Sequence, residues 1–348
     1  MALFLGLAFI PMFSASQEGK SSGIVVLRNY NGNTLYVGGN GPGNYSRIQD
    51  AVDNASEGDT VFVFHGIYHE AVVIPLQLKL IGEARETTII DAEKKGYTVN
   101  ITADGVTISG FTIQNGSYSS DLVNKANLFI FSSDNIITGN TFRYSESGIM
   151  MYTTGGNTIS GNIMRNNSIG LWLSGSKNIV SENLITCNSD MGIDTFGMEN
   201  VISGNAVTNN NGTGLYFVDS GKNNITGNEI SNNSLGIVLT WYRYTGQNRD
   251  NVISGNNFRN NTNGDASFAE WRGFSGRNIW TNNYWGKPRY LPKPIFGFKV
   301  TRFYYPLPWG PLWFFIPWFR FDWHPARQPY NISIQDEKNI IENRIYNL

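Results

Sequence analysis

The sequence predicts an all-β chain wound as a parallel β-helix, a single-stranded solenoid of about ten coils of ~22 residues each, and three observations predict it. The pattern Asn-x-apolar-Ser/Thr-x-Asn-x-apolar begins at Asn135, Asn157, Asn178, Asn200, Asn223, Asn251 and Asn278, in steps of 22, 21, 22, 23, 28 and 27 residues. Glycine recurs at Gly148, Gly170, Gly192, Gly214 and Gly236, each 22 residues after the last. Behind each glycine stands a short run such as Leu171-Trp172-Leu173-Ser174 or Leu215-Tyr216-Phe217-Val218. Its alternation is that of a half-buried strand, and its length is far below that of a helix.

Strands this short bury themselves by stacking coil on coil, so that equivalent strands pair in parallel about 4.8 Å apart around one continuous core. The second asparagine of each repeat then falls at one place per coil: Asn140, Asn162, Asn183, Asn205, Asn228, Asn256 and Asn283. Stacked amides hydrogen-bond along the axis as a ladder, and asparagine tolerates a left-handed turn, so these columns are read as structural.

The remaining elements follow in chain order. An apolar run Ala2–Ile10, then Pro11 and Ser14-Ala15-Ser16, fits a secretory signal over residues 1–16 and therefore export to the periplasm, cell surface or exterior. Residues 17–43 form a lead. In Ser46-Arg47-Ile48-Gln49 we read a capping box, followed by the helical stripe Ile48, Ala51, Val52 and Ala55 that stops near Gly58 and plugs the first coil. The β-helix is assigned to 44–286. Nine of the 12 prolines and five of the nine tryptophans lie at or beyond Trp285. The run from Phe303 to Phe321 is apolar enough to span a bilayer, but Pro306, Pro308, Pro311 and Pro317 would break a helix repeatedly. Residues 287–331 are therefore expected to form an irregular Pro/Trp-rich cover over the last coils, and 332–348 a polar tail.

Composition narrows the function classes. With 26 basic against 27 acidic residues and a net charge of −1, there is no basic excess to neutralise phosphates, so nucleic acid is not an expected partner. The single cysteine, Cys187, excludes an intramolecular disulfide framework and a cysteine-cluster metal site.

The segments Ser46 to Val52, Gly58-Asp59-Thr60-Val61 and Gly66-Ile67-Tyr68-His69-Glu70, the coils of type Asn-x-Ile-Ser-Gly-Asn, and the closing Asn283-Tyr284-Trp285 resemble the NosD-like branch of the β-helical carbohydrate-binding proteins and sugar hydrolases, the CASH group. The resemblance runs from Tyr45 to about Gly286. It implies a right-handed β-helix of a periplasmic or surface protein. The family's namesake is a periplasmic accessory of copper-site maturation, a role that a shared fold does not transfer.

Three chemistries make different demands on the residues. Copper asks for converging His, Met or Cys. His65 and His69 flank a turn, Met150 and Met151 point to opposite faces of one strand, and Cys187 occupies a turn column otherwise held by Asn166, Asn209, Asn232 and Asn260. Copper is thus suggested by the family name alone, and no cofactor is expected. Polysaccharide cleavage asks for two carboxylates across the scissile bond. Asp194, on an outward strand face, and Asp219, one coil on, are the candidates for a lyase or hydrolase.

Binding asks for less. Alternation puts Met150, Trp172, Asp194, Tyr216 and Val238 in one outward column and Tyr152, Ser174, Phe196, Val218 and Thr240 in the next, with Trp241, Tyr242 and Tyr244 extending it. Aromatic planes stacked along a rod suit the apolar faces of sugar rings. The same stripe could instead seat the aromatic segment 303–321. The expected function is non-catalytic binding of glycan or cell-envelope material, with Tyr152, Trp172, Asp194, Phe196, Tyr216 and Trp241 as the contact residues. The alternatives are cleavage at the Asp194 face and docking of a membrane or a copper-enzyme maturation complex through 303–321.

Overall fold

A computed structural model describes residues 32–117, 126–241, 248–271, 277–303 and 312–332. The expected signal over 1–16, Tyr242, Tyr244, Trp309 and the tail beyond 332 lie outside the described residues. Each coil contributes one strand to each of three sheets, of eleven, ten and eleven strands, and successive coils pair in parallel. The first sheet begins at Thr34–Val37, which pairs with Thr60–Val63, so the β-helix starts ten residues before the expected position 44.

The core is a set of ladders, one residue per coil. In the first sheet Ile137, Ile159, Val180, Ile202, Ile225, Ile253 and Trp280 follow one another in register. In the second the ladder is Phe142, Met164, Ile185, Val207, Ile230, Phe258 and Trp285. All are buried in a single cluster, and truncating one to alanine typically costs about 2–5 kcal/mol. The repeating glycine has a steric cause: a Cβ on Gly192 would meet the Gly214 carbonyl oxygen of the next coil at 2.6 Å.

The asparagine ladder forms, but its residues are not the ones in the left-handed turns. The residues just before them are, such as Glu182 (φ 57°), Gly204 (φ 65°) and Gly227 (φ 63°). This frees the asparagine to face inward. Asn183 donates its backbone N–H and its Nδ2 to Asn205 Oδ1, at 3.0 and 2.9 Å, and its Nδ2 also reaches the Ile159 carbonyl. Each side chain thus satisfies the turn of the coil before it. A third ladder, Asn167, Asn188, Asn210, Asn233 and Asn261, does the same at the corner leading to the third sheet. It stands one residue past the turn column of Asn166 and Cys187, whose positive φ makes that column a row of left-handed turns.

At the N-terminal end the helix forms but is shorter than expected, Ile48–Asp53, and the capping box does not form. Arg47 is the N-cap residue, and the first N–H groups, of Ile48 and Gln49, go to the buried carboxylate of Glu70 at 2.8 and 3.0 Å. A carboxylate from the first coil neutralises two orphan donors at once, which a serine hydroxyl does not. Gln49 then pairs its side-chain amide with the Val73 N–H and carbonyl, closing the exposed edge of the third sheet.

The C-terminal region is also more regular than expected. Lys293–Phe303 joins the third sheet in parallel, and Leu312–Asp322 returns antiparallel along it, two strands of 11 residues each. Proline is tolerated here because Pro317 lies on the outermost strand. The covering of the last coil falls instead to Asp322–Tyr330: Asn282 donates to the His324 carbonyl, Ala326 to that of Asn283, and Tyr330 to Asn257 Oδ1.

Candidate functional site

The outward face of the third sheet carries one unbroken column. In register, coil by coil, it runs Val73, Asn100, Phe129, Met150, Trp172, Asp194, Tyr216, Val238, Ser267 and Phe296. The expected column from Met150 to Val238 is therefore present and longer at both ends. It alternates with the inward residues Ile149, Leu171, Ile193, Leu215 and Ile237, which fix its direction by filling the core.

The second expected column is broken. Ser174 pairs with Phe196, but the register shifts between Met151 and Thr154, where Thr153 adopts φ 52°. This bulge turns Tyr152 out of line, and Tyr152 stands exposed against Phe131, 6.2 Å between centroids. Phe131 stacks in turn on Phe129 at 6.4 Å, and Phe129 on Tyr97 at 4.5 Å and 5°. Trp172 meets Phe196 edge to face at 6.4 Å. Tyr97, Phe129 and Phe131 were not anticipated because their coils lack the Asn-x-Ile-Ser signature; stepping back 21 residues from Met150 would have reached Phe129.

Asp194 departs most from expectation. Rather than a solvated outward carboxylate it is 9% exposed, and its Oδ1 has no hydrogen-bond partner. Burial first, and the neighbouring Asp190 second, push its pKa up to about 7. Burial and the charges of Asp194 and Asp190 also raise Tyr216. Trp172, the register neighbour of Asp194, likewise holds its buried Nε1 without a partner, and Asn100 Oδ1 lower in the column does too. A buried donor or acceptor left unpaired costs about 1–3 kcal/mol, so this column keeps unsatisfied polar capacity while every ladder asparagine is satisfied.

The other predicted residues fall as follows. Asp219 sits in a left-handed turn (φ 46°) three residues past Tyr216, the register partner of Asp194, so the acidic neighbour acting on Asp194 is Asp190. Met150 and Val218, both expected in outward columns, are buried. Trp241 follows directly on the strand Leu235–Thr240 and is half-buried.

Among the described residues, the His, Met and Cys side chains considered for copper do not come together. His65 Nδ1 is held by Glu83 at 2.8 Å and His69 Nδ1 by Glu93 at 3.5 Å, two separate surface pairs. Met151 faces the core while Met150 faces outward, and Cys187 is a turn residue (φ 57°). Among the described residues, no three His, Cys, Asp or Glu side chains converge to hold an ion.

A three-sheet solenoid with asparagine corners and an aromatic outer column defines a right-handed parallel β-helix protein. Its particular family follows from the sequence match: residues 52–289 fit the family model described as periplasmic copper-binding protein (NosD), and the chain belongs to that family. No curated protein matches it. Among solved structures it is similar to a cysteine mutant of DFA-IIIase from Arthrobacter chlorophenolicus A6 in complex with DFA-III, at 12% identity and TM-score 0.50, covering 89% of each chain. It is also similar to pectate lyase Pel9A, at 14% identity and TM-score 0.49, over 73% of this chain and 74% of that one. At such identities the likeness is one of fold. Among the described residues no helix is long and apolar enough to cross a membrane.

Proposed function

We propose that this protein is an exported, non-catalytic β-helical scaffold that binds glycan or cell-envelope material along the outer column of its third sheet. The observation that carries the reading is the cluster of aromatic side chains on this face, Tyr97, Phe129, Phe131 and Tyr152 in ring contact across neighbouring coils, followed by the Trp172–Phe196 pair and Tyr216 farther along. Exposed rings such as Phe131, Tyr152 and Phe196 offer stacking surfaces to the apolar faces of sugar rings. The test is light scattering coupled to size exclusion on the chain from Gln17 onward, mixed with neutral and acidic polysaccharides. Co-elution at unchanged polymer mass, lost in Trp172→Ala, is the expected result. Falling polymer mass would replace this reading by cleavage at Asp194, and absence of co-elution across the panel would remove it.

A second reading, docking at a lipid surface, is favoured by the C-terminal hairpin. On one of its faces Phe296, Phe298, Phe315, Phe319 and Phe321 are exposed, and on the other Phe314, Ile316 and Trp318 are exposed too. Exposed apolar side chains on this scale mark an interaction surface, and a headgroup and acyl boundary can take up both faces at once.

A further inference from the structure

Charge is spread unevenly along the chain. Residues 286–330 hold seven Lys and Arg against a single acid, Asp322, whereas the rest of the chain holds 19 against 26. We infer that the C-terminal hairpin and the residues leading into it dock on a membrane of anionic lipid, with Lys287, Arg289, Lys293 and Lys299 meeting the negative headgroups and the exposed rings meeting the acyl boundary; this rests on the lipid-surface reading above and adds the headgroup charge.

These cations lack carboxylate partners. Among the described residues of this segment only Arg320 forms an ion pair, with Glu270, and Arg289 Nε is buried without a hydrogen-bond partner. Lys287, Arg289 and Lys293 gather at the foot of the hairpin. Burial first, then the like charges of Arg289 and Lys287, hold the Lys293 ammonium below the usual lysine range, against the opposing pull of Asp265. Three cations thus share one carboxylate, and that carboxylate already accepts from Asn261 Nδ2 at 3.1 Å. Arg327, over the Tyr290 ring at 4.8 Å, adds a fourth positive charge beside them. Such a cluster repels itself until an anionic surface joins it.

The surroundings of the cations favour a membrane over an acidic polymer in water. Tyr290 and Leu291, between Arg289 and Lys293 in sequence, are 78% and 77% exposed, and Trp323 beyond the hairpin is exposed as well. Lys299 lies over the face of the exposed Trp318 at 3.7 Å. Tyrosine and tryptophan settle at headgroup depth, and lysine and arginine lay their stems on apolar surface while their charges reach the headgroups. About 20 Å of strand separates Lys293 from Val300, the register partner of Phe315. With the hairpin laid along the surface, the rings enter the acyl boundary while the cations stay among the headgroups. The acid-rich remainder of the chain is repelled by the same surface, so the membrane takes the protein by its C-terminal segment.

The experiment is flotation of the full chain with vesicles of phosphatidylcholine alone and of phosphatidylcholine and phosphatidylglycerol in equal parts. Each Lys or Arg near an anionic surface contributes about fivefold, so the anionic vesicles are expected to bind about a hundredfold or more tighter. That excess is expected to fall to within about threefold as salt rises from about 0.05 M to about 0.5 M, a measurement that needs no variant. The triple substitution Lys287→Gln, Arg289→Gln, Lys293→Gln is expected to cut the excess to about tenfold or less and to leave binding to phosphatidylcholine within about twofold. A thermal melt verifies that it folds. Equal binding to the two vesicles, or a folded triple variant that keeps the whole excess, would overturn this inference and leave the lipid reading standing. Polygalacturonate binding as tightly as the anionic vesicles, unchanged by Phe315→Ser with Trp318→Ser, would assign the cations to an acidic polymer and overturn it too. Binding to neither vesicle would overturn both readings.

Discussion

Asp322 Oδ2 occupies the place at the end of the asparagine ladder that the next coil's Asn Oδ1 would hold, accepting the Asn283 backbone N–H at 3.0 Å and Nδ2 at 3.2 Å. The same oxygen accepts Trp285 Nε1 at 3.0 Å, while Oδ1 takes the His324 N–H at 3.1 Å. A solenoid has no intrinsic end, so its last coil leaves donors that a further coil would have used. Here one fully buried carboxylate, at the end of the hairpin, meets them.

Removing that cap should therefore be costly. Asp322→Ala takes this acceptor from four donors, and we expect a loss of about 3 kcal/mol or more in urea unfolding. Asp322→Asn retains an acceptor oxygen and should lose about 1 kcal/mol. Equal losses in the two variants would show that side-chain volume, not the acceptor, matters.

Ladder and turn columns make opposite demands on neighbouring residues. Asn205→Ala should cost about 3 kcal/mol, since Asn183 would lose the acceptor for both its N–H and its Nδ2. Cys187→Asn, at φ 57° in a column where asparagine otherwise stands, should stabilise by a few tenths to about 1 kcal/mol. Chemical denaturation of the pair checks the assignment, and a destabilised Cys187→Asn would contradict it.

The protonated Asp194 predicts a pH dependence with a definite sign. Its folded pKa, about 7, lies above the unfolded value near 3.8, so between these values the folded state holds a proton that the unfolded chain has released. Stability from this group is fully present below about pH 4, falls as pH rises toward 7, and is level above it, with a total loss of at most about 4 kcal/mol. Asp194→Asn should melt like the wild type near pH 4 and higher than it at pH 8. A difference that does not grow with pH would rule out the raised pKa.

The hairpin reading is checked by flotation with phosphatidylcholine–phosphatidylglycerol vesicles. The chain is expected to float with them, and the double substitution Phe315→Ser, Trp318→Ser to partition about a hundredfold or more less, since each exposed aromatic contributes roughly 1.5–3 kcal/mol when buried. Both side chains are exposed, so the fold should survive the change. Protein that stays with the unbound fraction would remove the lipid reading.

What the sequence by itself determined was everything that repeats. A period near 22, one asparagine per corner and alternation after each glycine identify strands, register and the inward face, because stacking forces equivalent residues into contact. The order Met150, Trp172, Asp194, Tyr216 and Val238 follows directly from it. The third ladder at Asn167 and Asn188 is legible too, one residue beyond the turn column of Asn166 and Cys187.

What only the tertiary structure decided was whatever depends on segments far apart in the chain. Ser46 had the spacing to cap the first helix, but Glu70, 22 residues from Ile48, offers a stronger acceptor and takes the donors. Prolines spoke against regular structure beyond residue 287, yet an outermost strand leaves one side of its backbone unpaired and accepts Pro317. Alternation put Asp194 outward, but its burial and its coupling to Asp190 arise from what lies around the sheet. Periodicity fixes direction; solvation, and with it the chemistry of a carboxyl, is set by the whole packed molecule.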